Sequence, residues 1–366
     1  MKKYKYKVCV YAICKNESKF VERWVSSMQE ADEIYVLDTG STDNTVELLK
    51  KNGVFVTTEI IKPWRFDVAR NKSLNLIPED CDICVCTDLD EVFIPGWREK
   101  LEQIWVDKTD RLAYNYNWSL DENNQPIINF YIEKIHTRNN YIWTHPVHEV
   151  LTFTKDTYEN KITTDEITLN HYPDCTKSRS NYLPLLELSV KEDPLDDRNM
   201  HYLGREYMYY QMWDKCIDTL IKHLELKTST WKDERSASMR FIGRSYYNLS
   251  RIEEARMWYR KAILEAPYLK EPLVELAILE HNTKNYQTSN NLLNLALTKQ
   301  INYKSYINES FTRLSYIYDL LSINYYYLND ISNSIIYATK ALELDKNNER
   351  IENNLKIFKS LENNIP

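Results

Sequence analysis

The chain has 366 residues, of which 43% are hydrophobic, and a formal net charge of −7. That length suffices for two domains with sizeable cores. The acidic balance argues against general nucleic-acid binding, and no apolar run approaches the roughly eighteen residues of a membrane-spanning helix. The basic start, Met-Lys-Lys-Tyr-Lys-Tyr-Lys, leads into an apolar run that breaks at Lys15-Asn16-Glu17 with no small-residue cleavage site, so it does not read as a signal peptide. There are seven cysteines. Cys81, Cys84 and Cys86 lie on or beside one apolar run, and the single CxxC has no second pair to complete a zinc site. They read as packing residues, and a reducing cytoplasm fits best.

Residues 7–14 read as an apolar, β-branched-rich strand. Helical spacing over 17–30 puts Phe20, Val21, Trp24, Val25 and Met28 on one face. A second strand at 33–37 runs into the turn Asp38-Thr-Gly-Ser-Thr-Asp-Asn-Thr45 and a helix over 46–51, which Asn52-Gly53 terminates. Residues 54–59 form a third strand, 67–76 a helix stopped before Pro78, and 83–87 a fourth strand. This alternation predicts a largely parallel sheet with helices on its faces. A helix around 97–105 follows, then strands over 111–120 and 129–138 as an antiparallel hairpin, and short strands near Ile142, Val150 and Ile167.

From about residue 178 the pattern is helical and repeats internally. Leu203-Gly204-x-x-Tyr207 is followed by Cys216, Leu220 and His223. Ile242-Gly243-x-x-Tyr246 is followed at the same offsets by Ala255, Tyr259 and Ala262, then Pro267. Ala277 with Leu293 and Ala296 makes a third copy, and Ser322 and Tyr325 with Ala338, Ala341 and Asp345 a fourth. The second and third copies lie 34 residues apart; the other spacings are longer and imply inserted loops or helical turns. Small residues at fixed places let paired helices close up, which accounts for Gly204 and Gly243 despite a helix cost of about 1 kcal/mol each. The pattern matches the tetratricopeptide repeat, an array that serves as a peptide groove, a dimer interface or a packing support.

Ligands of parallel sheets bind beyond the C-terminal ends of the strands. The first strand ends in Lys15-Asn16-Glu17, the second in Asp38 and its loop, the fourth in Asp88-Leu89-Asp90-Glu91, so three polar clusters share one edge. Carboxylates crowded there repel each other unless a cation lies among them, and a hard divalent metal that also holds a diphosphate accounts for them. Each residue has a structural alternative: Asp38 and Asp43 as caps of the turn and helix, Asn16 and Glu17 as a helix start, Arg70 as a solvated helix residue, Asp88 and Asp90 as surface acids. No glycine-rich phosphate loop or dinucleotide fingerprint is present.

Four pieces in order, Ala12-Ile-Cys-Lys-Asn-Glu17, Val36-Leu-Asp-Thr-Gly-Ser-Thr-Asp-Asn-Thr45, Phe66-Asp-Val-Ala-Arg-Asn71 and Thr87-Asp-Leu-Asp-Glu91, resemble the glycosyltransferase family 2 proteins over roughly residues 7–172. The resemblance implies an α/β domain of GT-A fold (Rossmann-like, mostly parallel) over 1–177, followed by the all-α tetratricopeptide-like domain over 178–366. It implies that Asp38 contacts the uracil or ribose of a nucleotide sugar, that Asp88 binds near the ribose or sugar, and that Asp90 holds Mn²⁺ or Mg²⁺ on the diphosphate. Ala12, Asn16, Glu17, Ser41, Asp43 and Arg70 belong to the same nucleotide-sugar motifs. A later cluster, Trp143-Thr-His-Pro-Val-His-Glu149 and His171-Tyr-Pro, is similar to a Val-His-Glu segment and a following histidine of the family. On that resemblance Glu149 is the expected general base, with Glu91 its rival, His148 lies beside the donor, Trp143 offers an aromatic face to a sugar ring, and His171 completes the metal shell. The expected protein is an inverting, metal-dependent hexosyl- or N-acetylhexosaminyltransferase. It would use a UDP-sugar and a protein, peptide or glycan acceptor, and could dimerise through its repeats. Surface-polysaccharide assembly on a glycan or lipid-linked acceptor, and a non-catalytic scaffold, are the alternatives.

Overall fold

The computed structural model describes residues 4–121, 123–174, 182–299 and 304–362. The chain divides into two units, Met1–Glu192 with Lys304–Tyr306, and Asp193–Tyr303 with Ile307–Pro366.

In the first unit every residue of β1 (Val8–Cys14) is buried. Parallel neighbours β2 (Glu33–Asp38) and β4 (Ile83–Cys86) flank it, and β3 (Phe55–Thr58) lies outside β2. Helices α1 (Val21–Met28), α2 (Thr45–Lys51) and α3 (Phe66–Leu74) connect these strands. Because successive side chains of a strand point to opposite faces, Val8, Val10, Ala12 and Cys14 enter one core with Trp24, Val25 and Met28. Cys9 and Tyr11 enter a second core with Leu74, Ile77, Cys84, Cys86 and Trp143. A strand buried on both faces must read as a continuous apolar run, and β1 does. The six described cysteines are buried and free, as packing residues are; Cys175 lies outside the described residues.

Beyond β4 come β5 (Glu91–Phe93), α4 (Trp97–Ile104), β6 (Arg111–Leu120), β7 (Pro126–Thr137), the hairpin β8 (Tyr141–Thr144) and β9 (Val150–Phe153), β10 (Lys161–His171) and α5 (Tyr182–Glu192). The eight-stranded sheet has the order β3-β2-β1-β4-β7-β6-β10-β5. Among the described residues the pairs β1–β2, β1–β4, β2–β3 and β6–β10 are parallel, and β4–β7, β6–β7 and β5–β10 antiparallel. The mostly parallel α/β organisation is as expected. Two details differ. The first helix starts at Val21 rather than 17, because residues 17–20 form a turn in which the Glu17 N–H donates to Thr45 Oγ1 (2.8 Å). The strand β5 was not foreseen; it is too short to show a period and exists through its pairing of Glu91 with His171 on β10. Gly53 ends α2 as anticipated, at φ 81° with its N–H donating to Lys50 O (3.1 Å).

The second unit is a run of antiparallel helix pairs: α6 (Asp197–Tyr209) with α7 (Trp213–Glu225), α8 (Lys232–Asn248) with α9 (Ile252–Glu265), α10 (Glu271–Asn282) with α11 (Tyr286–Leu297) and α12 (Leu314–Tyr327) with α13 (Ile331–Leu344), followed by α14 (Glu349–Glu362). A Cβ on Gly204 would overlap Leu220, and one on Gly243 would lie 2.8 Å from Tyr259 Cε1. These are the close approaches that the small residues make possible. His223 stands where later repeats carry the fully buried Ala262 and Ala296. Its larger ring is accommodated by Ser238 at Nδ1 (3.0 Å) and Ser229 at Nε2 (3.0 Å), and the Ser238 hydroxyl also meets His201 Nδ1 (2.7 Å). Among the described residues no helix is long and apolar enough to cross a membrane.

Candidate active site

The register sets Cys14 opposite Asp38 and Tyr11 opposite Cys86, so β1, β2 and β4 end at one edge. The loops after β1 and β2 are tied together there. Asn16, in the left-handed region at φ 56°, donates its N–H to Ser41 Oγ (2.8 Å) and accepts the Thr42 N–H at Oδ1 (2.7 Å). Asp38 is buried and accepts N–H bonds from Gly40 (3.2 Å) and Ser41 (3.0 Å). Asp43 accepts the Ser18 N–H (3.2 Å) and the Thr45 hydroxyl (2.5 Å). Burial alone would raise its pKa, but these bonds outweigh that and hold it at about 2. Asp38, Asp43, Asn16 and Ser41 thus shape the loops through hydrogen bonds. The Ala12 side chain lies within the core, so only its backbone faces the strand neighbours.

Next to β4 lies a buried cluster of charges. Asn71 on α3 brackets β8, donating from Nδ2 to Trp143 O (2.8 Å) and accepting the Trp143 N–H at Oδ1 (2.8 Å). The residue before it, Arg70, is therefore held under the segment that carries Glu149. Its guanidinium is buried and donates from Nε to Glu149 Oε1 (3.0 Å), from Nη2 to Asp88 Oδ1 (2.5 Å) and from Nη1 to Thr87 O (3.4 Å). Lys134 on β7 donates to Asp88 Oδ2 (3.2 Å) and Glu91 Oε1 (3.3 Å). Burial opposes ionisation of Asp88, but Arg70 and Lys134 overcome it and hold that carboxyl well below the usual range. Glu91 goes the other way: burial pushes it up, with Lys134 opposing. Both Glu91 oxygens are engaged, Oε1 by the Tyr116 hydroxyl (2.8 Å) as well as Lys134, and Oε2 by the Asp88 N–H (2.8 Å). Glu149 Oε2 takes no hydrogen bond among the described residues.

Asp90 and His171 meet at 3.4 Å, Oδ2 to Nε2. The His171 ring donates from Nδ1 to Trp118 O (3.0 Å) and stacks on the Trp118 indole at 4.5 Å and 22°. With Nδ1 carrying that proton, a neutral ring aims its Nε2 lone pair at the Asp90 carboxylate. Two electron-rich atoms in that position are reconciled by a proton on Nε2 or by a cation between them. The carbonyl on the far nitrogen is the orientation that metal-binding histidines carry. The pair offers one carboxylate oxygen and one histidine nitrogen, donors that a divalent cation could take. Burial works against a charged His171, but Asp90 and the Trp118 carbonyl raise its pKa above the ordinary value.

Two of the expected site residues lie deeper in the fold than their sequence suggested. Trp143 does not offer its face to a ligand. It is 4% exposed, and its indole Nε1–H donates to the Tyr11 hydroxyl (3.0 Å), which donates in turn to His136 Nε2 (2.8 Å). Glu91 is walled in at 1% exposure, which leaves it no free oxygen for a proton from outside. His148, at φ 50°, packs edge-on near Tyr182 at 5.8 Å. Lys134, Tyr116 and Trp118 were missed. A lysine within an otherwise strand-like run was the available signal for the first, and alternation along β6, which puts Tyr116 and Trp118 on one face, for the others.

Residues 9–155 match the family model "Glycosyl transferase family 2". The first unit carries a family 2 glycosyltransferase domain. Residues 241–268 match a tetratricopeptide repeat, so the second unit is a repeat array. An uncharacterized glycosyltransferase of Rickettsia bellii (strain RML369-C) is 32% identical over 111 residues, which are 30% of this chain and 36% of that protein. Another, of Rickettsia conorii (strain ATCC VR-613 / Malish 7), is 41% identical over 111 residues, 30% of this chain and 38% of the relative. The match thus spans little more than a third of those relatives. Solved structures similar to the chain include the APC/C hetero-tetramer Cut9-Hcn1 (17% identity, TM-score 0.41, covering 50% of this chain and 33% of that one) and MamA (14%, TM-score 0.37, 47% and 85%).

Proposed function

We propose that the first unit transfers a sugar, with inversion, from a nucleoside-diphosphate sugar to a hydroxyl or thiol of a protein, peptide or glycan. A UDP-hexose or UDP-N-acetylhexosamine is the first donor to test. The observation that carries this reading is the Asp90–His171 pair beside the Arg70–Asp88–Lys134 cluster, at the edge where three parallel strands end. Family 2 enzymes commonly use divalent metals; Mn²⁺ or Mg²⁺ on Asp90 and His171 would neutralise charge on the departing diphosphate.

The geometry favours Glu149 over Glu91 as the base, because Glu149 keeps an unengaged oxygen beside Arg70 while both Glu91 oxygens are taken. Glu149 Oε2 receives the acceptor proton as the acceptor's lone pair forms the new bond to the anomeric carbon. The bond from that carbon to the phosphate oxygen breaks, and its electron pair leaves with the diphosphate. Arg70 positions both Glu149 and Asp88, and Asp88 is thereby directed at the ribose or sugar. Lys134 offsets the charge of the half-buried Asp88 and the buried Glu91, so the two acids add little repulsion to an incoming diphosphate. The loops of Asp38, Asn16 and Ser41 form the nucleoside end.

In the same reading the repeats bind the acceptor or pair two copies of the chain, and the protein works in the cytoplasm. The full chain is to be incubated with Mn²⁺ and a panel of UDP-, GDP- and dTDP-sugars, and nucleoside diphosphate release measured. Turnover of one donor that Asp90→Ala abolishes is expected. Absence of turnover and binding for every donor would leave the scaffold reading instead.

A further inference from the structure

We infer that Trp118 is the platform for a pyranose ring of the acceptor, so that the molecule receiving the sugar is itself a glycan or already glycosylated. This rests on the nucleotide-sugar reading and narrows its acceptor class. Trp118 is 43% exposed. A single exposed tryptophan is ordinary, but this one is fixed in place at the reacting edge. Asn117 and Asn170 are register partners on the parallel strands β6 and β10, which sets Trp118 beside His171. One indole face lies on the imidazole at 4.5 Å and 22°, and the Trp118 carbonyl accepts the same ring's Nδ1–H. With that face covered, the exposed surface is the opposite face and rim. A rigid, half-open indole loses little conformational freedom on binding, and its face suits the C–H face of a pyranose.

The position separates acceptor from donor. Strand order puts Trp118 and His171 on the far side of β4 from Asp38 and the nucleoside end, so sugar rather than base lies in this direction. The donor ring is bonded directly to the phosphate that the Asp90–His171 pair faces, and must lie against that pair. A ring stacked on the open face of Trp118 lies two stacking distances from the imidazole, about 9 Å at ordinary aromatic spacing. Trp118 covers the face of the imidazole while Asp90 meets its Nε2 edge, so a ring on the open side of the indole lies off the direction of the diphosphate and is not the donor's.

Trp118→Ala and Trp118→Phe in the full chain test this. UDP, GDP and dTDP binding with Mn²⁺ is to be measured by calorimetry. Binding of methyl gluco-, galacto-, manno- and N-acetylglucosaminopyranosides to the Mn²⁺–nucleotide complex is to be followed by saturation-transfer NMR. At least one pyranoside should bind the wild type. Trp118→Ala should weaken it about ten-fold and Trp118→Phe no more than about three-fold, as loss or retention of one ring contact predicts, with nucleotide affinity preserved in Trp118→Phe, which keeps a ring on His171. No pyranoside bound by the wild type, or pyranoside affinity untouched by Trp118→Ala, overturns the platform while nucleotide binding stands. Loss of nucleotide affinity in Trp118→Phe, which keeps a ring on His171, overturns it too, by putting the indole on the donor. A wild type that binds no nucleoside diphosphate removes the reading beneath it.

Discussion

Arg70 is where the charge arrangement is most exposed to test. Arg70→Met keeps the length of the side chain and removes the guanidinium that joins Glu149 and Asp88. The two acids are affected unequally. Asp88 is 35% exposed at its side chain and keeps Lys134 at 3.2 Å, so solvent and the remaining cation absorb much of its loss. The Glu149 side chain is 14% exposed and has no other hydrogen-bond donor among the described residues. Breaking a buried pair and stranding one charge costs about 3–5 kcal/mol, and the partial relief at Asp88 puts the expected loss near the lower end, about 3 kcal/mol. Arg70→Met/Glu149→Gln, which strands no charge, should recover about 1–2 kcal/mol of it. With two units in one chain, a single melting curve would not report the first unit by itself. Native-state hydrogen exchange at the β1 and β4 amides reads the first unit alone. A loss below about 1 kcal/mol, or no recovery in the double variant, would refute the claim that Arg70 compensates Glu149.

Glu149→Gln should lower single-turnover transfer by about 10²–10⁴-fold with donor binding retained, whereas Glu91→Gln should act mainly on stability; the reverse pattern in quench-flow kinetics would assign the base to Glu91. In the repeat unit, Gly204→Ala should destabilise by about 1–3 kcal/mol and by more than Gly243→Ala. The new methyl meets the Leu220 branch point in the first case and only a ring edge of Tyr259 in the second. Equal effects by hydrogen exchange on α6 and α8 would contradict that geometry. His201, buried among α6 and α8 residues, has its pKa pushed down to about 3 by burial, with Glu234 opposing. The unfolded imidazole, near 6.5, takes its proton first, so this contribution is whole above pH 6.5 and is lost as pH falls toward 3. The slope is at most about 1.4 kcal/mol per pH unit. His201→Asn should flatten the acid limb of exchange-derived stability for α8, and an unchanged slope would sink the assignment.

What the sequence made legible follows from where its signals are local. β1 is buried on both faces, so it reads as an unbroken apolar run, and the polar residues after β1, β2 and β4 mark one edge because parallel pairing aligns the strand ends. Gly204 with Leu220 and Gly243 with Tyr259 reveal the repeat, since helix pairs recur at a constant offset. Non-local pairing hid the rest. β5 has three residues and exists only through β10, which itself runs between β5 and β6. That insertion brings His171 to Asp90 and Trp118 to His171, neighbours widely separated along the chain. Trp143 and Trp118 look alike in sequence. Tyr11 provides a hydroxyl for the first indole inside the core, while β6 leaves the second half in solvent. Lys134 reads as a surface lysine until the acids it faces are folded against it.

In the proposed function Asp90 and His171 hold a cation that in turn holds a nucleoside diphosphate. Calorimetric titration of the wild type and Asp90→Asn with UDP, GDP and dTDP, each with Mn²⁺ and with EDTA, tests it most directly. One nucleotide should bind the wild type in Mn²⁺, EDTA should abolish the binding, and Asp90→Asn should weaken it by about 100-fold or more, at least the loss seen when a metal site's support is removed. Nucleotide binding of equal strength in EDTA, or in Asp90→Asn, would contradict it.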